Sequence, residues 1–374
     1  MRRITLTENW PLLLGAFGWA AMLAIASALP HGSSIFERNP WAAWQLTPAV
    51  SVPLLLAGAL YVAGAWRGPG RQGAGGRHAA FAAGLLTIFI ALQSPIEGLA
   101  DHSLAVHEVE HMLLRTVGPM LLVLADPQAR LLRGLPAWLR RGLVAPSFSA
   151  RAVRLPFGIL AKPVVATALF VGVGAFWMLP RYHDLALADD RVHWLMHISL
   201  IVTGLLFFVR LLDPRHPPYG PSLAARLLMC WFAVITTILI GFAVTFSPHV
   251  LYPGYQSSGL LWGVSPRLNE IYGGQTGWIP GSMMLIVALL ATVYRWARQE
   301  DRDADRRSRD ADRVVVGGAE FAATQRPRNR ALALGLIGFA VMVLGLAFGS
   351  VLVYEASPHH GFPPLQRGGH HVAG

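Results

Sequence analysis

Residues 100–115 read "ADHSLAVHEVEHMLLR". Three histidines and two glutamates sit where the chain is passing from a polar break into continuous hydrocarbon. Ionisable groups inside a bilayer are costly, so if this segment enters a membrane its polar residues are suspects for function by default.

Composition indicates that it does. The 374 residues are 54% hydrophobic and only 14% charged, well under the roughly 25% usual for soluble domains. Apolar runs of about 18–25 residues, each long enough to span a bilayer, recur along the chain. The strict in–out alternation of barrel strands is missing. The fold class expected is all-α, a polytopic transmembrane helical bundle. The net charge of +11 comes from arginines concentrated in short connectors, a pattern that orients helices in a membrane and gives no reason to expect nucleic acid as a partner. The single cysteine, Cys230, lies in "LLMCWFAVITTILIGFAV" and cannot form an internal disulfide, so it is expected as a small buried hydrophobe.

About nine spans are expected, over 10–29, 47–66, 79–99, 104–125, 163–180, 192–212, 224–246, 277–297 and 331–354. The first follows a basic start and ends in an A-x-A-like stretch, but its apolar run exceeds the 7–15 residues of a signal core, so it is expected as a retained span. Basic connectors fall at Arg2 and Arg3, 67–78, 130–162, 213–226 and from Arg295 onward. With nine alternating spans these all face one side, which puts the N-terminus inside and the C-terminus outside. The core is expected over 1–298. A charged, partly disordered cytoplasmic linker follows over 299–330, then the final span, then a histidine-containing outer tail over 355–374. The stretch 131–162, with its amphipathic "LLRGLPAWLRRGL", is expected as a connector packed at the inner membrane surface.

Orientation gives the histidines a meaning. His78 and His216 fall inside. His31, His102, His107, His111, His183, His193, His197, His249, His359, His360, His370 and His371 fall outside or in outer halves of spans. His107 and His111 open the fourth span and His193 and His197 open the sixth. In each pair the imidazoles are four residues apart, one helical turn along and close in azimuth. Both pairs can face one ion at one depth. Glu108, His111 and Arg115 continue a polar stripe that should face the bundle. Asp101 or Ser103 can cap the fourth helix, and Asp189 or Asp190 the sixth. Glu110 reads as a carboxylate complementing the helix N-terminus.

The primary metal ligands expected are His107, His111, His193 and His197. Glu108 and His102 are secondary, and so are His183 and His249, the last two as outer-loop residues that shuttle metal. Imidazole suits zinc, copper, iron and nickel, while thioether shifts preference toward Cu(I). Met112, Met196, Met283 and Met284 lie in or near the spans, although methionine in a membrane helix is usually packing. Copper is the metal expected. Rival readings are a b-type cytochrome with heme held by paired histidines, a membrane di-iron protein, and a metal-free scaffold.

The stretch 81–127, with Ser94-Pro95, His107, His111 and "GPMLLVLADP", resembles the core of the CtaG-type cytochrome c oxidase assembly factors, integral membrane proteins associated with caa-type oxidases. "HWLMHISLIVTGLLFF" is similar to that family's second histidine pair. "LYPGY" and "YGGQTGWIPGSMMLIVALLATVYRWARQE" resemble its last block. The resemblance covers about 45–300. It departs where Asn269-Glu270-Ile-Tyr replaces an acidic-Gln-Gln-like stretch, with Gln275 after the glycines. The resemblance implies a non-enzymatic role in maturation of a heme–copper oxidase, through delivery or positioning of copper. It also implies oxidase subunits and periplasmic copper chaperones as partners, and the bacterial inner membrane as location.

Overall fold

The computed structural model describes residues 44, 46–68, 75–215, 217 and 219–311. Among them every regular element is helical and there is no strand. The chain divides into two compact units, Met1–Ala297 and Arg298–Gly374. The expected spans 10–29 and 331–354, the outer tail, His31 and His216 lie outside the described residues.

The described part begins with α1 (Pro48–Trp66) and α2 (Gly75–Gln93). The break expected at Ser94-Pro95 is real: the Ser94 hydroxyl accepts from Ile96 N (3.2 Å) and starts a short α3 (Pro95–Ala100). Next comes α4 (Leu104–Met112), which passes through a π turn (Leu113–Val117) into α5 (Gly118–Leu124). Pro119 has no N–H to place in the helical ladder, and the register change just before it avoids the clash a proline brings to a helix interior. A returning helix, α6 (Gln128–Gly134), lies on α1. Then follow α7 (Arg151–Leu160), α8 (Pro163–Trp177), α9 (Pro180–Ala188), α10 (Asp190–Leu211), α11 (Leu223–Thr245), α12 (Gly254–Ser258) and α13 (Pro266–Ala311).

Five helices are long and apolar enough to cross a membrane, namely α1, α2, α10, α11 and α13. The pair α7 and α8, bent by 72°, makes a sixth if counted as one broken span. With 15 residues, α8 alone rises about 22 Å, short of the ~30 Å hydrocarbon core. The region of the expected fourth span is helical over 104–124, divided by the π turn, and is not among these five. The expected span 277–297 is the middle of a longer helix, because α13 continues through 311. Residues 299–311 are therefore helical where a partly disordered linker was expected. They lack glycine and proline, and Arg307 pairs with Glu300 (3.2 Å) on the same helix.

Packing is set by close backbone approaches. A Cβ on Gly64 of α1 would collide with the Arg130 carbonyl of α6, and a Cβ on Gly134 of α6 would collide with the Leu60 carbonyl of α1. This reciprocal small-residue contact lets the two helix backbones meet closely. At the centre, α10 packs on α5 and the π turn, and Gly204 is the point of closest approach, against the Arg115 carbonyl. Phe170 of α8 stacks on Phe207 of α10 with centroids 4.3 Å apart.

The connector from Leu135 to Leu160 departs from expectation. None of its residues is buried, and Trp138, Leu143, Phe148, Leu155 and Phe157 are exposed. Its apolar side chains lie between arginines, as in an interfacial segment. The connector after α10 is pinned instead: Asp213 bonds Arg210 (2.9 Å) and Arg215 (2.8 Å). Burial works against ionisation of Asp213, but the hydrogen bonds from Arg215 outweigh it and hold this carboxyl below the usual range.

Candidate metal centre

At about 100° per residue, α4 turns His107, Glu110 and His111 toward one side and Glu108 and Arg115 toward the next. The start of α4 is not held by its own sequence. Ser103 occupies the N-cap position without a side-chain bond, and the Leu104 N–H donates instead to Asn269 Oδ1 of α13 (3.0 Å). The sixth expected span is capped locally, since Asp189 accepts from Arg191 N (2.8 Å).

The two histidine pairs meet. Ring centroids of His107 and His193 are 5.4 Å apart, and those of His111 and His197 are 6.3 Å apart. Within the pairs the spacing is 4.4 Å for His107–His111 and 4.3 Å for His193–His197. His107, Glu110, His193 and His197 each present one donor atom, and these four atoms lie within 4.8 Å of one another. His107 and Glu110 are 0% exposed and His197 is 2% exposed, so bulk solvent does not reach them.

The Nε2 atoms of His107, His111, His193 and His197 are all buried without a hydrogen-bond partner, as are both carboxylate oxygens of Glu110. His197 Nε2 and Glu110 Oε1 approach to 3.2 Å without hydrogen-bond alignment. Buried polar atoms are nearly always satisfied, and so many orphans at one point need a missing partner. A cation bound by imidazole lone pairs and a carboxylate would satisfy them. Glu97 Oε2 of α3 is also buried without a partner.

Around this centre lies a hydrogen-bonded frame. His183 of α9 lies tilted beside His107, with centroids 4.8 Å apart, and is fully buried. Its Nδ1 meets the Trp177 carbonyl (3.1 Å) and its Nε2 meets Tyr255 Oη (2.8 Å). Burial pushes the His183 imidazole down to about 4. Tyr255 Oη also reaches His107 Nδ1 (3.1 Å). The segment carrying Tyr255 is held by α13 and α9. Leu251 N and Tyr252 N donate to Glu270 Oε1 (2.6 Å each), and Gly254 N donates to Asp184 Oδ1 (3.2 Å). Arg267 ties Glu270 to the Val244 and Thr245 carbonyls at the end of α11.

The stripe Glu108–His111–Arg115 lines a cavity next to the cluster, together with Phe170, Gly174, Thr237 and Gly277. Glu108 Oε1 is 3.7 Å from His111 Nδ1. Arg115 donates to the Phe170 carbonyl (2.9 Å) and lies over that ring.

The structure thus gathers His107, His193 and His197 with Glu110, and places His111 between this group and the cavity. His183 is a buried neighbour of His107, where an outer-loop position was expected, because Tyr255 and the Trp177 carbonyl draw it in. His249 lies apart, exposed in a turn closed by Ser247. His102 bonds the Gly259 carbonyl through Nδ1 (2.7 Å) beside a separate, mostly apolar cleft of about 450 Å³. Met196 is packed with Trp177, Ala186 and Leu200, and Met283 is exposed. Sequence reasoning missed Glu110 as a donor, although its spacing of three from His107 places it on the same face. It also missed Tyr255, Asn269 and Glu270, for which only tertiary contact gives a signal.

The fold and site define a helical membrane protein with a buried histidine–glutamate centre. The chain belongs to the cytochrome c oxidase caa3 assembly factor family (Caa3_CtaG), whose model matches residues 59–299. It is similar to uncharacterized proteins of Mycobacterium leprae (27% identical over 291 residues, 72% of this chain and 42% of the relative) and Mycobacterium bovis (27% over 255 residues, 63% of this chain and 36% of the relative). The chain therefore spans about two-fifths of the length of these curated relatives. No solved structure matches the chain.

Proposed function

We propose that this chain is a multi-pass assembly factor of the bacterial inner membrane that holds a transition-metal ion for a heme–copper oxidase under construction. The ion sits among His107, Glu110, His193 and His197, with His111 at the way out toward the polar cavity. Copper, as cargo rather than resident cofactor, is the first candidate. The single observation that supports this most is the convergence, within 4.8 Å, of one ring nitrogen from each of His107, His193 and His197 with a Glu110 carboxylate oxygen, in residues whose Nε2 atoms and carboxylate oxygens have no hydrogen-bond partner. In the proposed topology nine spans put the N-terminus inside and the centre near the outer surface, where periplasmic copper chaperones and oxidase subunits can reach it. The role is non-enzymatic, since the chemistry required is binding and release.

The donor set of imidazole and carboxylate without sulfur suits Cu(II), iron or zinc as well as copper in its reduced form. Iron is the alternative cargo. Heme is disfavoured because the buried Glu110 Oε1 stands 3.2 Å from His197 Nε2, within a donor group gathered in 4.8 Å.

The test is reconstitution of the full chain in lipid nanodiscs, with metal content measured after exposure to copper, iron or zinc and removal of excess. About one ion per chain is expected, lost in the His107→Gln/His193→Gln double variant, which should also fail to support oxidase maturation in cells. A protein that takes up no metal but still supports maturation would leave the scaffold reading.

A further inference from the structure

We infer that Tyr255 and His183 are positioning residues that fix which nitrogen of His107 carries its proton, leaving Nε2 free as the donor atom. The inference rests on the metal-holding reading above.

The order of donors follows from one group that can only accept. The Trp177 carbonyl has no proton, so His183 Nδ1, 3.1 Å away, must donate to it. His183 is fully buried and, among the described residues, no carboxylate hydrogen-bonds to it, so a second proton on its ring would create a buried cation with no hydrogen-bonded counter-ion. Its Nε2 therefore accepts, and Tyr255 Oη, 2.8 Å away, donates. That uses the one proton of the tyrosine. Toward His107 the phenol oxygen can then only accept, and His107 Nδ1 at 3.1 Å must be the N–H. A neutral imidazole protonated at Nδ1 has its lone pair at Nε2, and His107 Nε2 is a buried atom with no partner. His107 also belongs to the gathered donor group.

The chain His107 → Tyr255 → His183 → Trp177 carbonyl thus runs in one direction, each member donating to the next. Metal-bound histidines commonly donate their other N–H to an outer partner that fixes tautomer and ring orientation. Here that partner is a phenol whose direction is set by a second histidine. The loop over 251–255 and its anchor Glu270 exist at the right place to hold the phenol.

The experiment uses the full chain in nanodiscs, as wild type, Tyr255→Phe and His183→Asn. In metal-free protein labelled with ¹⁵N-histidine, the His107 signal is identified by its loss in His107→Gln. Wild type is expected to show the Nδ1–H form, and Tyr255→Phe the Nε2–H form or a mixture. Cu(II) affinity is expected to fall about 10–100-fold in both relay variants, with helical content and thermal unfolding close to wild type. Unchanged tautomer and unchanged affinity in Tyr255→Phe would overturn the relay while leaving the metal reading intact. No metal uptake by wild type would overturn both. If Tyr255→Phe fails to fold, His183→Asn decides by the same two readouts.

Discussion

At the scale of single residues, Glu110 has the sharpest role. Read in sequence it is one more acid near a helix start; in the fold it is the only carboxylate in the gathered donor group. Glu110→Gln keeps shape and removes the anionic oxygen, so metal affinity should drop about tenfold or more, measured by competition with a chelator of known affinity. His111→Asn should cost less, because His111 stands outside that group. The spacing of His107, His111, His193 and His197 was readable because four residues make nearly one turn. The partners of Nδ1 were not readable, because Tyr255 is 148 residues from His107 and arrives through an irregular loop.

At the scale of elements, the centre depends on the ends of helices. The Asn269-Glu270 step, where the sequence departs from its family's pattern, joins three of them. Asn269 caps α4, and Glu270 gathers the loop before α12 and the end of α11 through Arg267. Removing the buried acceptor should leave the Leu104 N–H unsatisfied. Asn269→Ala is therefore expected to destabilise the protein by about 1–3 kcal/mol, read as a lower midpoint of unfolding in mild detergent. The connector anchored by Asp213 gives a pH test. Its carboxyl titrates below an unfolded aspartate, so its stabilising contribution is complete above about pH 4 and is lost as pH falls through the lowered folded value. Asp213→Asn should flatten the acid side of the stability profile, measured by unfolding between pH 3 and 6. Helix α8 shows why boundaries were less legible than helices: its apolar run looked like a full span, but Pro163 bends it from α7 by 72°.

At the scale of the whole molecule, the apolar runs made a helical membrane protein legible before any contact was known, because hydrocarbon accepts only a backbone whose hydrogen bonds are satisfied internally. Which helices touch was not legible, since small residues such as Gly64, Gly134 and Gly204 reveal a close approach only once their neighbours are placed. The proposed orientation has its own check. Cys230 is buried and the only cysteine, so Cys230→Ala gives a background for single cysteines. Ser147→Cys, in the exposed basic connector, should react with an impermeant maleimide only after the inner face is opened. His249→Cys should react from the outside in intact cells. The opposite labelling pattern would invert the topology and put the histidine centre on the cytoplasmic side.

The central claim, that a buried histidine–glutamate group binds a metal ion, is tested most directly by X-ray absorption of the copper-loaded full chain in nanodiscs. The expected spectrum has a first shell of nitrogen and oxygen only, with the outer scattering of about three imidazoles, and loses those imidazole features in the His107→Gln/His193→Gln variant. A sulfur shell, or bound copper whose spectrum is the same in that variant, would contradict it.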